Sequence, residues 1–537
     1  MARLFRFVEN RRCLFGLWLL LIVPAPVLGQ ESSNSVSKAY YVSADAGPNG
    51  DGSRQQPFLL LSQAESVSVA GDTIYLLSSE RGKVLDGGIV LKARQRLIGL
   101  GAVGQPPDNT PIRVKLTNTA DLPGGVMVQL SEQNEVAGIH FMNMGNAAIS
   151  GSGTNYSGAY IHHTTFSGNA ETHVEDDYLS TEGKGLVYAI SLEATSGSLE
   201  EIRIEDSRFY DGEDLGAIRV FHSGDSRGHY RFQRNDFSDL GGRPYFVRTQ
   251  DRSYVETVIL DSTADNIGRG ERNSDSIIPY LMGESEQIML IRNYRFQNTK
   301  QEGNRSNTGI EAYIFGEPRP DEANWCTGCT LTLKIFDSVI ENAVTDPIQF
   351  SNSGRNSDLS YEIRNTRILG GNPQQGDGGI SLNLQSVPAS GGRTKLLVED
   401  SDVIATTGYG FTFNDRGGNG GHSVVVDLGG GVLGSRGRNR FAGNEKGAVR
   451  LPQNRVTAAN NWWGGGKPTM YDGEDRLSED RNVLIEPVLS EEPRQKQCDR
   501  KGFVDYGGPR RSKSGSAIVI VDRCCATAAS TSARTSG

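Results

Sequence analysis

From about Val136 to Trp463 one short phrase keeps returning: alternating apolar positions, then Asp or Asn, often Ser or Thr, a free residue and another apolar one. It reads Ile202-Arg203-Ile204-Glu205-Asp206-Ser207-Arg208-Phe209, Leu333-Lys334-Ile335-Phe336-Asp337-Ser338-Val339-Ile340, Tyr361-Glu362-Ile363-Arg364-Asn365-Thr366-Arg367-Ile368 and Leu396-Leu397-Val398-Glu399-Asp400-Ser401-Asp402-Val403. Looser copies begin at Ile161, Phe232, Ile291 and Asn439. About a dozen residues after most of them comes a Gly or polar turn and a second alternating strand, as in Ala217-Ile218-Arg219-Val220, Gly309-Ile310-Glu311-Ala312, Pro347-Ile348-Gln349-Phe350 and Gly379-Ile380-Ser381-Leu382. Strict alternation buries one face of a strand and leaves the other in water. The Asp/Asn-Ser/Thr pair suits a tight corner, because short polar side chains bond nearby backbone and Asn or Asp tolerates left-handed geometry. Each unit is therefore strand, corner, strand, loop.

No single unit could bury its own apolar row, whereas stacked units make one continuous core. The copies return roughly every 22 to 44 residues. The shortest interval, Ile139 to Ile161, is taken as one bare coil, and the longer ones carry loop insertions on one side. The predicted fold is all-β, a parallel β-solenoid with a short N-terminal capping helix. A β-sandwich also gives many short strands, but it does not repeat one corner sequence.

The start of the chain adds processing and a cap. Arg3, Arg6, Arg11 and Arg12 precede the apolar run Leu14 to Val23 and the small-residue stretch Pro24 to Gly29. This reads as a secretory signal peptide over 1–29, too short to span a bilayer. Residues 30–110 read as the cap and first coils, 111–490 as the β-helix, and 491–537 as a poorly ordered tail of charged and small polar residues. In the cap, Pro57 opens a stretch in which Phe58, Leu61, Ala64 and Val67 fall at helical spacing. A helix there would cover strand edges left open at the end of the solenoid.

The opening, Tyr40-Tyr41-Val42-Ser43, a Gly-rich loop, Pro57-Phe58, then Gly71-Asp72-Thr73-Ile74-Tyr75, resembles bacterial right-handed parallel β-helix proteins of the pectin-lyase-like superfamily, which implies a right-handed parallel β-helix here. Val426 to Ser435, Asn439 to Asn444 and Val456 to Gly464 look like the last coils of such proteins, so the resemblance covers about residues 39 to 490. It implies a secreted, periplasmic or cell-surface protein that meets a polysaccharide or cell-surface glycan. Superfamily members include lyases, glycoside hydrolases, epimerases and adhesins, and their own catalytic motifs are largely missing here. Asp176-Asp177 and Gly421-His422 are fragments without the partners those motifs require. The resulting expectation is a glycan-binding or adhesion scaffold, with a polysaccharide lyase or glycoside hydrolase acting on an acidic polysaccharide as the alternative.

Charge and cysteines change this picture little. The formal charge of −9 becomes −12 once the signal's four Arg and one Glu are removed, which argues against nucleic acid as a partner. No stretch is long and apolar enough for a membrane helix, and a monomer is expected. Cys326 and Cys329 have the spacing of a local disulfide in a secreted chain. Cys498, Cys524 and Cys525 leave an odd count.

If Ile139 and Ile161 are equivalent, His140, His162, Arg203 and Arg231 form one outward column, with His140, His162 and Arg203 as candidate catalytic groups. The insertion that follows carries Glu171, His173, Glu175, Asp176 and Asp177. Glu175, Asp176 and Asp177 could hold a Ca²⁺ that neutralises a sugar acid while a basic side chain takes a proton. The second strands give another outward row, Arg219, Glu311, Gln349, Ser381, Thr412 and Arg450, beside Tyr313. From it Arg219, Glu311 and Tyr313, with Arg231 of the first column, are candidate ligand-binding residues. Trp462 and Trp463 read as a plug of the last coil or a sugar-stacking pair.

Overall fold

The structure is a computed structural model that describes residues 37–100, 114–119, 125–168, 187–268, 274–298, 308–314, 326–372, 378–384, 391–415, 422–450, 456–471 and 483–493. Contacts divide the chain into two units, Met1–Ser37 and Lys38–Gly537, and every described element lies in the second. That unit is a right-handed parallel β-helix. Its described strands form three parallel sheets of 15, 12 and 13 strands, here called A, B and C, and the chain visits them cyclically. One turn runs Ile202–Glu205 in sheet A, Arg208–Gly212 in sheet B and Leu215–His222 in sheet C, then returns to sheet A at Arg227–Gln233.

The core is built from columns of like residues one coil apart. In sheet A, Ile204, Phe232, Ile259, Ile291, Ile335, Ile363 and Val398 pair in unbroken register, and all are fully buried. Sheet B stacks Phe141, Phe166, Phe209 and Phe237, with ring centroids 4.6 to 5.0 Å apart. Phe413 is buried in a sheet C column with Phe350 and Leu382.

The repeated polar pair makes the corner between sheets A and B. Its first residue takes positive φ at Asp206, Asp261, Asn293, Asp337, Asn365 and Asp400, the region that short polar side chains tolerate best. The second residue turns inward and bonds the neighbouring coil. Ser207 Oγ lies 2.9 Å from Thr164 Oγ1, Ser401 Oγ accepts the Thr366 N–H, and Asn439 Oδ1 accepts the Ser401 N–H. The pair thus supplies left-handed geometry and satisfies a buried backbone donor in the next turn.

The first coils depart from the expected phrasing. Ile161 pairs with Val136, in sheet A, whereas Ile139 lies in sheet B and pairs with Val114. The bare coil therefore runs from Val136 to Ile161. Its corner is the single Gly138, at φ 71°, which carries no Asp-Ser signal to mark it. The capping helix is Leu61–Val67, with Leu61 and Ala64 buried and Val67 46% exposed. The Gln63 side chain accepts the Leu59 and Leu60 N–H groups at its start. Phe58 lies outside the helix: its N–H bonds Tyr41, its carbonyl accepts the Ser43 N–H, and this segment pairs with the first strand of sheet A. The helix packs against the first strands of both sheet A and sheet C, and Glu65 accepts the Val90 N–H of the latter.

At the other end Trp463 stacks on Phe441 at 5.0 Å and is 7% exposed, as a plug of the last coil requires. Described structure continues to Pro493, where Leu489 N–H bonds Asn461 and Arg440 pairs with Glu492. No helix among the described residues is long and apolar enough to cross a membrane. Of the internal stretches outside the described residues, all but 101–113 adjoin a sheet C strand in sequence.

Candidate functional site

The outward face of sheet C collects most of the chemistry. Three of its rows follow from strand register. The first runs Arg219, Phe246, Ile278, Glu311, Gln349, Ser381, Thr412 and Arg450. The second runs Glu193, Phe221, Arg248, Tyr280, Tyr313, Ser351, Asn383 and Asn414. At the strand entrances Arg243, Asp275, Thr308 and Asp346 each lie two residues before a paired strand position, namely Tyr245, Ile277, Ile310 and Ile348. The expected row Arg219 to Arg450 is thus one aligned set, with Tyr313 on the same face.

Glu311 is the centre of a carboxyl cluster. Its side chain shares a hydrogen bond with Asp275, and Asp346 lies near enough to act on its charge. Asp275 Oδ1 also accepts the Thr308 N–H at 3.0 Å, while Gln349 Nε2 donates to Glu311 Oε1 at 3.2 Å. Burial, then the Asp275 charge, push the Glu311 carboxyl well above its ordinary range, with Arg243 opposing. Asp275, Asp346 and Arg243 are all buried. Two carboxyls that share one hydrogen bond resist ionising together, which favours the neutral form of Glu311. A protonated acid beside a carboxylate is the equipment of general acid and base.

An aromatic ladder runs beside the cluster. Tyr280 and Tyr313 stack with centroids 5.4 Å apart and planes 6° apart. The Arg248 guanidinium sits 5.1 Å from the Phe221 ring and 5.6 Å from the Tyr280 ring. Arg219 lies 5.4 Å from the other side of the ladder's end, Phe221, and is paired with Glu193. Tyr188, Phe246, Ile278, Tyr280 and Met282 make a small buried apolar cluster, separate from the solenoid core. Further along, Asn414 donates to Asn383 at 2.8 Å and Thr412 to Ser381 at 3.0 Å, a run of amides and hydroxyls.

The first candidate column requires correction. His140 lies in sheet B, paired with Lys115 and Thr165, whereas His162 lies in sheet A, paired with Ala137 and Glu205. The two rings occupy different faces, because the slip at Gly138 shifts the assumed equivalence by three residues. His140 bonds Ser167 Oγ at 2.7 Å. Arg203 and Arg231 do stack one coil apart in sheet A, but Tyr160, not His162, continues their row.

His162 has its own surroundings. Its Nε2 meets Glu135 Oε1 at 3.2 Å, its Nδ1 meets His163 Nδ1 at 2.9 Å, and its ring stacks on Tyr160 at 4.2 Å. The other face of Tyr160 carries the Arg203 guanidinium at 4.0 Å. The His162 and Arg96 hydrogen bonds bring the Glu135 carboxyl down to about 2. Arg231 bonds Gln233 and lies 3.8 Å from Glu205.

Glu171, His173, Glu175, Asp176 and Asp177 lie outside the described residues, as do Cys498, Cys524 and Cys525. Among the described residues no group of three or more metal-ligating side chains converges. Cys326 and Cys329 are joined in a buried disulfide.

Sequence reasoning missed Asp275, Asp346, Arg243, Arg248 and Tyr280. A signal for two of them was present. Asp275 stands two residues before Ile277 and Asp346 two before Ile348, the same offset from the first buried residue of the second strand. In an aligned solenoid, equal offsets mean one row.

No family model matches the sequence, and no curated protein matches it. Among solved structures, the mannuronan C-5 epimerase A-module of Azotobacter vinelandii is similar at 12% identity and a TM-score of 0.36, over 68% of this chain and 93% of that one.

Proposed function

We propose that the chain is a secreted carbohydrate-active β-helix protein of the pectin-lyase-like kind, and that it hydrolyses a polysaccharide laid along the outward face of sheet C. The observation that carries this reading is the hydrogen-bonded Glu311–Asp275 carboxyl pair, with Asp346 in the next coil, beside stacked tyrosines. Glu311 would protonate the glycosidic oxygen, and a carboxylate of the cluster would activate water. Tyr313, partly exposed at the end of the stacked pair, offers aromatic surface to a sugar ring, and the Asn383 and Asn414 amides suit sugar hydroxyls. A carboxyl whose neutral form is favoured can donate a proton, which supports hydrolysis over base-led elimination.

The binding-scaffold reading is favoured by one specific observation: past the carboxyl cluster this face presents the Asn383–Asn414 amide pair and no further acid or base among the described residues of that row. Incubation with a panel of neutral and uronic-acid polysaccharides separates the readings. Hydrolysis predicts new reducing ends without absorbance from unsaturated products, at least 100-fold slower in Glu311→Gln. Unsaturated products would replace hydrolysis with a lyase reaction. Binding without any product would leave the scaffold.

A further inference from the structure

The sheet C face carries a cation that the proposed hydrolysis does not use. Arg248 is half-buried, and its guanidinium is held between the rings of Phe221 and Tyr280. Its hydrogen bonds go to Gln250 Oε1 at 3.2 Å and to the Met282 sulfur at 3.5 Å. Its Nε is buried without a hydrogen-bond partner. No carboxylate among the described residues pairs with it. Its neighbours on the solenoid differ in this respect: Arg219 is paired with Glu193, and Arg234 and Arg292 pair with Asp206 and Asp337.

A half-buried positive charge without a counter-charge is costly unless something anionic completes it. The two rings fix the guanidinium plane, so little side-chain entropy is lost when its fork meets a planar anion. The register places Arg248 in the same row as Tyr280 and Tyr313, two coils from the Tyr313 strand that also carries Glu311. A coil rises about 4.8 Å, close to the length of one sugar unit in an extended chain.

Resting on the sheet C reading above, we propose that Arg248 is a specificity-determining residue that binds an anionic substituent, a carboxylate or a sulfate, on a sugar about two units from the one at Glu311. Phe221 and Tyr280 are positioning residues for its guanidinium. The site selects anionic over neutral glycans by supplying the missing counter-charge, and the acid cluster is not needed for that choice.

The test is calorimetric titration of the full chain and its Arg248→Gln variant with three pentasaccharide-sized probes: oligogalacturonate, a chondroitin sulfate fragment and cellopentaose. The expected result is that the wild type binds at least one anionic probe more than tenfold tighter than cellopentaose. Arg248→Gln should abolish that preference while leaving cellopentaose affinity and the thermal midpoint unchanged. Oligogalacturonate alone identifies a carboxylate, and preference for the chondroitin fragment identifies a sulfate. Added salt should weaken only the anionic probes, through screening. If the wild type binds cellopentaose as well as the anions, or if the variant keeps the preference, Arg248 has no such role and the sheet C reading stands. If no probe binds, and the uronic and neutral polysaccharides yield no product, the sheet C reading fails and the anionic subsite with it.

Discussion

Single residues on this solenoid carry opposite electrostatic demands on two faces. Glu135, in sheet A, is stabilised as a carboxylate by His162 and Arg96, and its pKa falls to about 2. Its contribution is present above about pH 4.5 and is lost as pH falls toward 2. Glu135→Gln should therefore cost on the order of 1–2 kcal/mol at neutral pH, after allowance for partial exposure, and nothing at pH 2. Urea unfolding of both proteins across this range reads the difference. Glu311 has the reverse sign. Because its carboxyl is pushed upward, its neutral form is accommodated at low pH and its ionisation weakens the fold as pH rises through the raised value. Glu311→Gln should then match the wild type in thermal midpoint at pH 4 and exceed it at pH 8, even as hydrolysis disappears. A midpoint that falls at pH 8 would mean that the Glu311 charge is a structural partner. His222, fully buried between Ser226 and Tyr230, is brought down to about 3 mainly by burial and then by the His229 charge. It stays neutral in the fold, so it adds to acid lability between about pH 6.5 and 3.

At the scale of elements, stability lies in columns and corners. Phe209 stacks between Phe166 and Phe237 with no exposure, so Phe209→Ala removes two ring contacts and leaves a cavity. The expected loss is about 3–5 kcal/mol in denaturant unfolding. Asp427 organises the loop after its strand: its two oxygens accept the N–H groups of Gly429, Gly431, Leu433 and Ser435. Asp427→Ala would strand these donors, and hydrogen exchange at 429–435 should rise by at least tenfold while the first coils keep their protection. The columns were legible in the sequence because period-2 alternation with a repeated Asp-Ser corner leaves one register for sheet A. Ile204, Phe232, Ile335, Ile363 and Val398 fall where the phrase puts them. The His140 and His162 column was not legible, because the Gly138 corner has no polar pair and a three-residue slip moves a side chain into another sheet. The carboxyl cluster was only half legible: Glu311 stands within the alternating strand, but Asp275 and Asp346 precede their strands, where turn residues and site residues look alike.

For the β-helix as a whole, nearest-neighbour stacking makes each coil depend on the two beside it. The end of the described structure is held through Val488 by the strand pairing at Val483 and by Ile485 and Val488 on the core, whereas beyond residue 490 the contact is the surface pair of Arg440 and Glu492. Removing residues 491–537 should lower the thermal midpoint by less than about 4 °C, since a surface ion pair is worth under about 1 kcal/mol. A larger drop in calorimetry would mean that this segment carries core contacts. The parallel stacking also gives the working face its order: an arginine and aromatic end near Arg219 and Arg248, a carboxyl centre at Asp275, Glu311 and Asp346, and an amide and hydroxyl end at Asn383 and Asn414. The central claim is that this ordered face, and not the His162 face of sheet A, takes the glycan. A crystal structure of Glu311→Gln soaked with a galacturonate pentamer tests it most directly. The account predicts sugar density along sheet C between Arg248 and Asn414, with a glycosidic oxygen within hydrogen-bond distance of the residue at 311. Density over Tyr160 and Arg203 on sheet A, with sheet C bare, would contradict it.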